Sequence, residues 1–471
     1  MDDIKPSAVG AQRLWAPQAW VHGRWQSDVS LTIAGDGHWG EVVCGAAAPP
    51  GATVLPGPVL PGMVNAHSHA FQRAFAGLSE RRSSERDDFW SWRDRMYAVA
   101  LRVTPDQLRA IATQLYGEML QGGYTQVCEF HYLHHDTDGS PYSDAAEMSL
   151  ALVKAAQDAG IGLTLLPVLY QRAGFADVKL RHDQRRFAST VAWVRALSSR
   201  VNAIGSPLIS AGLAVHSLRA APAEAVQELA LQARDLEGPV HIHIAEQTAE
   251  VDDCIAATGA RPIEWLTRHV PLNHRWHLVH ATHATPEEIE AVRRSGAGVV
   301  ICPSTEANLG DGLCDLPGWL GSGVHLSLGS DSHMQRSWVD ELRWLEYGQR
   351  LTLRRRNVSA QPAQDQHSTA AVLFQRNVEG GAAAAGFQTW GIQAGTRADL
   401  LVLDTHAPGL LGVPASHQLD ALVFATDAPA FSQVWVAGRC VVDQGRHPKR
   451  DAAAAGFAKV MGQLWGAGLT G

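Results

Sequence analysis

Two His-x-His pairs stand in this 471-residue sequence, His67/His69 and His241/His243, with His216, Glu246, His280 and Asp331 spaced around the second pair and after it. On a strand, residues i and i+2 point to the same side, so each pair can aim both imidazoles at one point. Among 22 histidines about one such pair is expected by chance, so the spacing alone carries little weight. Position carries more, because His67/His69, His216, His243 with Glu246, His280 and Asp331 each stand at or just past the end of a short apolar run. Three imidazoles and one carboxylate suit Zn²⁺ or another borderline divalent ion with room for a water. An ion of that kind brings the pKa of its water down to about 7, which makes hydrolysis at neutral pH the available chemistry. Two other zinc-hydrolase patterns are missing: H-E-x-x-H, and H-x-E followed by P-C-x-x-C.

The elements that must position these residues recur from about residue 58 to 340 as a short apolar run followed by a helical stretch. Eight runs read as strands: 59–67, 124–130, 161–170, 208–216, 239–245, 276–281, 297–303 and 324–331. Their near-continuous apolarity marks strands buried on both faces of a parallel sheet. Helix starts lie between them, at Thr104-Pro105 and at Thr285-Pro286-Glu287-Glu288, each with a capping hydroxyl followed by Pro. Eight strands alternating with helices predict an α/β fold, a (β/α)8 TIM barrel, whose working groups gather at the C-terminal strand ends. Residues 13–57 and about 390–447 alternate short β runs with Gly/Pro turns, and neither stretch can bury a core alone. They predict a small β-sandwich built from both termini: residues 1–57 and 388–450, with the barrel over 58–387 and a helical tail over 451–471.

Composition bounds the rest. The chain is 46% hydrophobic and 18% charged with a formal net charge of −8, which argues against a nucleic-acid or membrane-surface protein. No apolar run approaches the ~20 residues that span a bilayer, and the first ten residues lack a secretory apolar core. Six scattered cysteines without a C-x-x-C pair fit a reduced cytoplasm. Arg354-Arg355-Arg356 reads as a solvated helix face.

The run Pro61-Gly62-Met63-Val64-Asn65-Ala66-His67-Ser68-His69 resembles the strand-1 signature of the amidohydrolase superfamily. His243-Ile244-Ala245-Glu246, His280 and Gly329-Ser330-Asp331 resemble its strand-5, strand-6 and strand-8 motifs. The resemblance implies His67, His69, His243 and Asp331 as metal ligands, with Glu246, His280 and Asp331 as the catalytic proton-handling groups. Asn65 stands where members usually carry Asp, at a position that is not a ligand. The third and fourth runs hold no lysine to bridge two ions, so one divalent metal per subunit is expected, Zn²⁺ with Fe²⁺ as the alternative. Segments 65–80, 90–97, 129–135, 215–220, 243–247, 279–283, 303–312 and 329–333 resemble, within that superfamily, the formimidoylglutamate deiminases. That resemblance implies hydrolysis of N-formimino-L-glutamate to N-formyl-L-glutamate and ammonia in histidine breakdown, by a homodimer acting on a small acidic amidine. It places Gln72, Arg93, Tyr132, His216 and Arg219 on the substrate, with Trp90 and Trp92 as pocket walls. The competing readings are a deaminase of an aromatic base such as guanine on the same metal site, and a non-catalytic scaffold of this fold. His131, His134 and His135 read as solvated loop residues, and Ser304, Thr305, Glu306 and Asn308 as rim residues without an assignable role.

Overall fold

The computed structural model describes residues 12–81, 89–175 and 178–466; the side chains of Phe89, Trp90 and Ser91 fall outside that description. The barrel strands are β1 (Met63–Ser68), β2 (Tyr124–His131), β3 (Gly162–Leu169), β4 (Leu213–Ser217), β5 (Val240–Ile244), β6 (Trp276–His280), β7 (Gly298–Ile301) and β8 (Leu326–Leu328). Each pairs in parallel with the next. The ring closes just past β8, where Ser68 bridges to Asp331. Asp331 N donates to His67 O at 3.0 Å, and His69 N donates to Asp331 O at 3.3 Å. The seam of the barrel therefore runs through the residues of chemical interest. This is a (β/α)8 barrel carrying a small β-domain made by both ends of the chain.

Both sequence-predicted helix starts are capped as their residues dictate. Thr104 opens Pro105–Gln121 in a capping box with Gln107, and Thr285 opens Pro286–Ser295 in one with Glu288. The tail is helical over Arg450–Trp465 and docks beside Pro105–Gln121, with Trp465 Nε1 donating to Ala74 O at 2.9 Å.

Two readings of the strands are corrected. Run 59–67 divides at Gly62: Val59–Pro61 joins the terminal sheet, and only Met63–Ser68 enters the barrel. The run Asp420–Ala425, read as a terminal strand, lies in the helix Gln418–Ala425. Its buried Leu419, Leu422 and Val423 sit at i, i+3 and i+4, the helical spacing that a short apolar run conceals.

The terminal sheet has eight strands. Val59–Pro61 lies at its centre, between Gln12–Val21 and the C-terminal strand Leu400–Leu403. Leu14, Leu31, Ile33, Trp39, Val59, Leu400, Val402 and Trp435 fill a separate core, which neither end could form alone. The buried Arg397 ties this sheet to the barrel: it pairs with Asp399 at 2.7 Å and donates to Gln126 Oε1 on β2 at 2.8 Å. Among the described residues no helix is long and apolar enough to cross a membrane, and the six cysteines are unpaired.

Candidate active site

Four side chains converge where β1, β5 and the segment after β8 end. His67 Nε2 lies 3.1 Å from His69 Nε2 and 2.9 Å from His243 Nε2. Asp331 Oδ1 lies 3.3 Å from His69 Nε2 and 3.5 Å from His67 Nε2. A carbonyl only accepts, so His69 Nδ1 must donate to Phe130 O, 2.9 Å away; its Nε2 then presents a lone pair to the cluster. Ligands about 2.0–2.1 Å from one zinc-like ion stand roughly 2.9 Å apart at right angles and 3.6 Å apart at 120°. These four separations fall in that interval; His67, His69 and Asp331 form one group able to hold a divalent ion, and His67 shares a second, overlapping group with His243 and His280.

Electrostatics agree. Burial pushes His67 down to about 3 and His243 well below its ordinary value, which keeps both imidazoles neutral as ligation requires. Burial opposes the charge on Asp331, yet His67 and His69 hold its carboxyl well below the usual carboxylate range.

The backbone at these strand ends is bent. Ala245, His280, Ala281 and Asp331 adopt positive φ of 51°, 70°, 48° and 45°, a left-handed conformation that costs L-residues about 1–3 kcal/mol each. The buried Glu250 offsets this at β5 by accepting from Ala245 N at 3.2 Å and Glu246 N at 3.1 Å. Gly329 is required for a different reason: a Cβ there would lie 2.5 Å from His67 Cβ.

His280 and Glu246 flank the cluster. His280 Nε2 is 3.7 Å from Glu246 Oε1 and 3.9 Å from Asp331 Oδ2. Its Nδ1 donates to Glu306 Oε1 at 3.3 Å, and Glu306 is itself fixed by Cys302 N at 2.9 Å. That bond turns Nε2 toward the carboxylates. Burial raises Glu246 to about 7, where it can carry a proton at neutral pH.

The residues expected to hold substrate share the same mouth. Tyr132 packs its ring 5.1 Å from His69 and 5.6 Å from His216, and His216 lies 5.1 Å from His243. Gln72 Nε2 donates to the Tyr132 hydroxyl at 3.2 Å. Arg93, on the helix Phe89–Ala100, lies 5.5 Å over the Tyr97 ring. Burial lowers its pKa, Tyr97 raises it, and Arg219 lowers it again, so the two guanidiniums feel one another. Arg219 also acts on His216 and Glu246. Trp92 packs tilted against Phe75, with ring centroids 5.5 Å apart, while the Trp90 side chain lies outside the described residues. His241 sits deeper in the barrel and donates to Ala384 O at 2.8 Å.

The reading of His131, His134 and His135 as solvated is corrected. All three are buried: His131 is the last residue of β2, and His134 and His135 donate to Val168 O and Ala188 O at 2.9 and 2.7 Å. Glu306 is likewise no rim residue but the acceptor that orients His280. Sequence reasoning missed Glu129, which accepts from Ser68 Oγ at 2.7 Å and Ala70 N at 2.6 Å and so fixes the chain on either side of His69. One carboxylate in the otherwise uncharged run 124–130 was the available signal. The links from Asn65 to Ser330 and from His333 to His69 O were also missed, and spacing offers no signal for them.

Residues 59–441 match the amidohydrolase family. A formimidoylglutamate deiminase from Pseudomonas aeruginosa is 47% identical, with 97% of this chain and 99% of that protein covered. The crystal structure of an amidohydrolase from Brucella melitensis superposes with a TM-score of 0.91 at 41% identity, covering 96% and 99% of the two chains. An adenosine deaminase from Xanthomonas campestris, solved with bound zinc, shares the fold at a TM-score of 0.79 and 23% identity, covering 96% and 98%. A His/Asp cluster able to hold a metal at the seam of a (β/α)8 barrel, a family match spanning most of the sequence and a relative aligned almost end to end agree: the chain belongs to the amidohydrolase family.

Proposed function

We propose that this enzyme hydrolyses N-formimino-L-glutamate to N-formyl-L-glutamate and ammonia, a step of histidine breakdown, using one divalent ion per subunit. The observation that supports the reading is that Arg93 and Arg219 feel one another and that Arg219 also acts on Glu246 and His216, beside the His/Asp cluster. Two guanidiniums suit the two carboxylates of a glutamate, because Arg pairs with carboxylate in a planar fork. The 47% identical relative bears the name of this activity. A pocket for a flat aromatic base would have no use for that pair of cations.

The ion, Zn²⁺ in this proposal with Fe²⁺ as the alternative, would be held by His67, His69, His243 and Asp331 and would make water a nucleophile near neutral pH. Asp331 Oδ2 takes the proton that the attacking water gives up, and His280 Nε2 orients that water; burial opposes the charge on His280, but Glu246 and Glu306 hold its pKa well above the ordinary value. Glu246 Oε1 delivers a proton to the terminal nitrogen of the tetrahedral adduct, which makes that nitrogen a leaving group. A C–O bond forms, the bond from carbon to the terminal nitrogen breaks, and both water protons end on the departing ammonia. Gln72, Tyr132 and His216 orient the chain of the substrate, and Arg93 and Arg219 anchor its carboxylates. The small acidic amidine is the only partner proposed besides a second copy in a homodimer, with no role for nucleic acid or membrane. The six unpaired cysteines support placing the reaction in the cytoplasm.

Steady-state ammonia release from N-formimino-L-glutamate, N-formimino-L-aspartate and guanine tests the reading. The glutamate derivative is expected to lead. The aspartate homologue, one methylene shorter, should lose about 1–3 kcal/mol, or 10- to 200-fold in kcat/KM. Guanine turnover matching the glutamate derivative would overturn the proposal.

A further inference from the structure

The loop after β7 brings one more carboxyl to the mouth, and the proton-transfer scheme above leaves it without a task. Asp311 follows the short helix Pro303–Leu309 and is held there by its own N–H, which donates to Glu306 O at 2.9 Å. It lies between the ends of β5 and β6. Gln247 Nε2, one residue past Glu246, donates to Asp311 Oδ1, and the adjacent Gly312 faces His283 and Thr282 beyond β6. Asp311 is 5% exposed, and its Oδ2 is buried without a hydrogen-bond partner. A buried carboxylate oxygen left unpaired is costly and rare in a folded protein. Around it stand Glu246, Glu306, Asp331 and His280. Burial, then Glu246, pushes Asp311 up to about 9. At that value the free carboxyl keeps its proton at neutral pH, and an entering cation favours its ionised, accepting form.

The proposed substrate brings one. An N-alkyl formamidine is a strong base, protonated at neutral pH, so its reacting end is a planar cation with several N–H donors. On the reading that this substrate is N-formimino-L-glutamate, we propose that Asp311 determines specificity by accepting an N–H of the formamidinium through its free Oδ2. Arg93 and Arg219 hold the anionic end and Asp311 the cationic end. The site thereby separates an amidine from the neutral formamide it becomes, because the product retains the two carboxylates and loses the cation.

Asp311→Asn tests this, since an asparagine keeps an acceptor for Gln247 and removes the charge. On the metal-loaded full chain, KM and kcat for N-formimino-L-glutamate and the competitive Ki of N-formyl-L-glutamate would be measured in wild type and variant. The expected result is a KM at least about tenfold higher with a Ki within roughly twofold of wild type, the loss of one charge-assisted hydrogen bond. Asp311→Glu should recover part of the KM. An unchanged KM, or a KM and Ki that rise together, would overturn the assignment. Wild-type protein inert toward the formimino compound would instead overturn the substrate reading, and that is seen before any variant is made.

Discussion

Replacing Asn65 with Asp, the residue usual at this position in the superfamily, should destabilise this chain, and hydrogen-bond direction gives the reason. His333 Nε2 is 3.0 Å from His69 O; a carbonyl only accepts, so Nε2 carries the proton and Nδ1 is the acceptor. Ser330 Oγ, 3.0 Å from that Nδ1, must donate to it. The same Oγ then has only lone pairs to offer Asn65 Nδ2, 2.7 Å away, while Asn65 Oδ1 accepts from Ser330 N at 3.0 Å. An ionised carboxylate in place of the amide sets acceptor against acceptor, and turning Ser330 to satisfy it strands His333 Nδ1. His333 cannot take up a proton in compensation, because burial holds its pKa at about 3. One buried unpaired acceptor costs about 1–3 kcal/mol, and the buried charge adds to it, for an expected loss of about 2–4 kcal/mol. At roughly 2.1 cal/mol/K per residue the unfolding entropy is about 1 kcal/mol/K, so the midpoint should fall by about 2–4 °C. The loss is pH-dependent with a definite sign. Burial raises the folded pKa of the introduced carboxyl above its unfolded value, and the protonated acid can donate to Ser330 Oγ. The gap to wild type should therefore be small in acid and widen as pH rises through that folded pKa. Calorimetric scans of metal-loaded Asn65→Asp, Asn65→Ala and wild type from pH 4.5 to 8 read this directly. Equal midpoints for Asn65→Asp and wild type across that range would refute the directional argument; a gap that shrinks with rising pH would refute its sign.

Three further outcomes are expected. Arg93→Met and Arg219→Met should each raise KM for the acidic substrate about 10- to 150-fold, the worth of a charge-assisted hydrogen bond of roughly 1.5–3 kcal/mol; unchanged steady-state constants in both would remove the carboxylate clamp. Exhaustive chelation should abolish turnover and one equivalent of Zn²⁺ or Fe²⁺ restore it, whereas His243→Ala should purify with substoichiometric metal by elemental analysis. His134, pushed down to about 4 by burial, should contribute stability that is full above pH 6.5 and falls by up to about 3 kcal/mol as pH drops toward 4. His134→Gln, which retains a donor for Val168 O, should flatten that limb of the denaturation profile.

Much of the scaffold was legible because its signals are local. Eight apolar runs, two Thr-Pro helix starts and the β-rich termini are each read within about ten residues, and the strand-end rule then gathers His67, His69, His243, Glu246, His280 and Asp331 without knowledge of their contacts. The failures share a cause as well. Asp420–Ala425 is too short for periodicity to separate helix from strand. Run 59–67 keeps its apolarity across Gly62 while changing sheets. His131, His134 and His135 look like a loop cluster until the segment carrying Phe187 and Ala188 covers them.

The orientation of the site was illegible for a deeper reason. What aims a ligand or a base here is a proton direction passed between residues from 3 to 265 positions apart. Asn65 is matched to Ser330, Ser330 to His333 and His333 to the carbonyl of His69; His280 is aimed by Glu306, and β1 is steadied by Glu129. Residue type states what each group can donate or accept, but only the barrel's closure decides which way each bond points. A departure such as Asn65 therefore looks neutral in a list of motifs, yet becomes a requirement once the carbonyl of His69 has fixed the direction of the chain of bonds that ends on it.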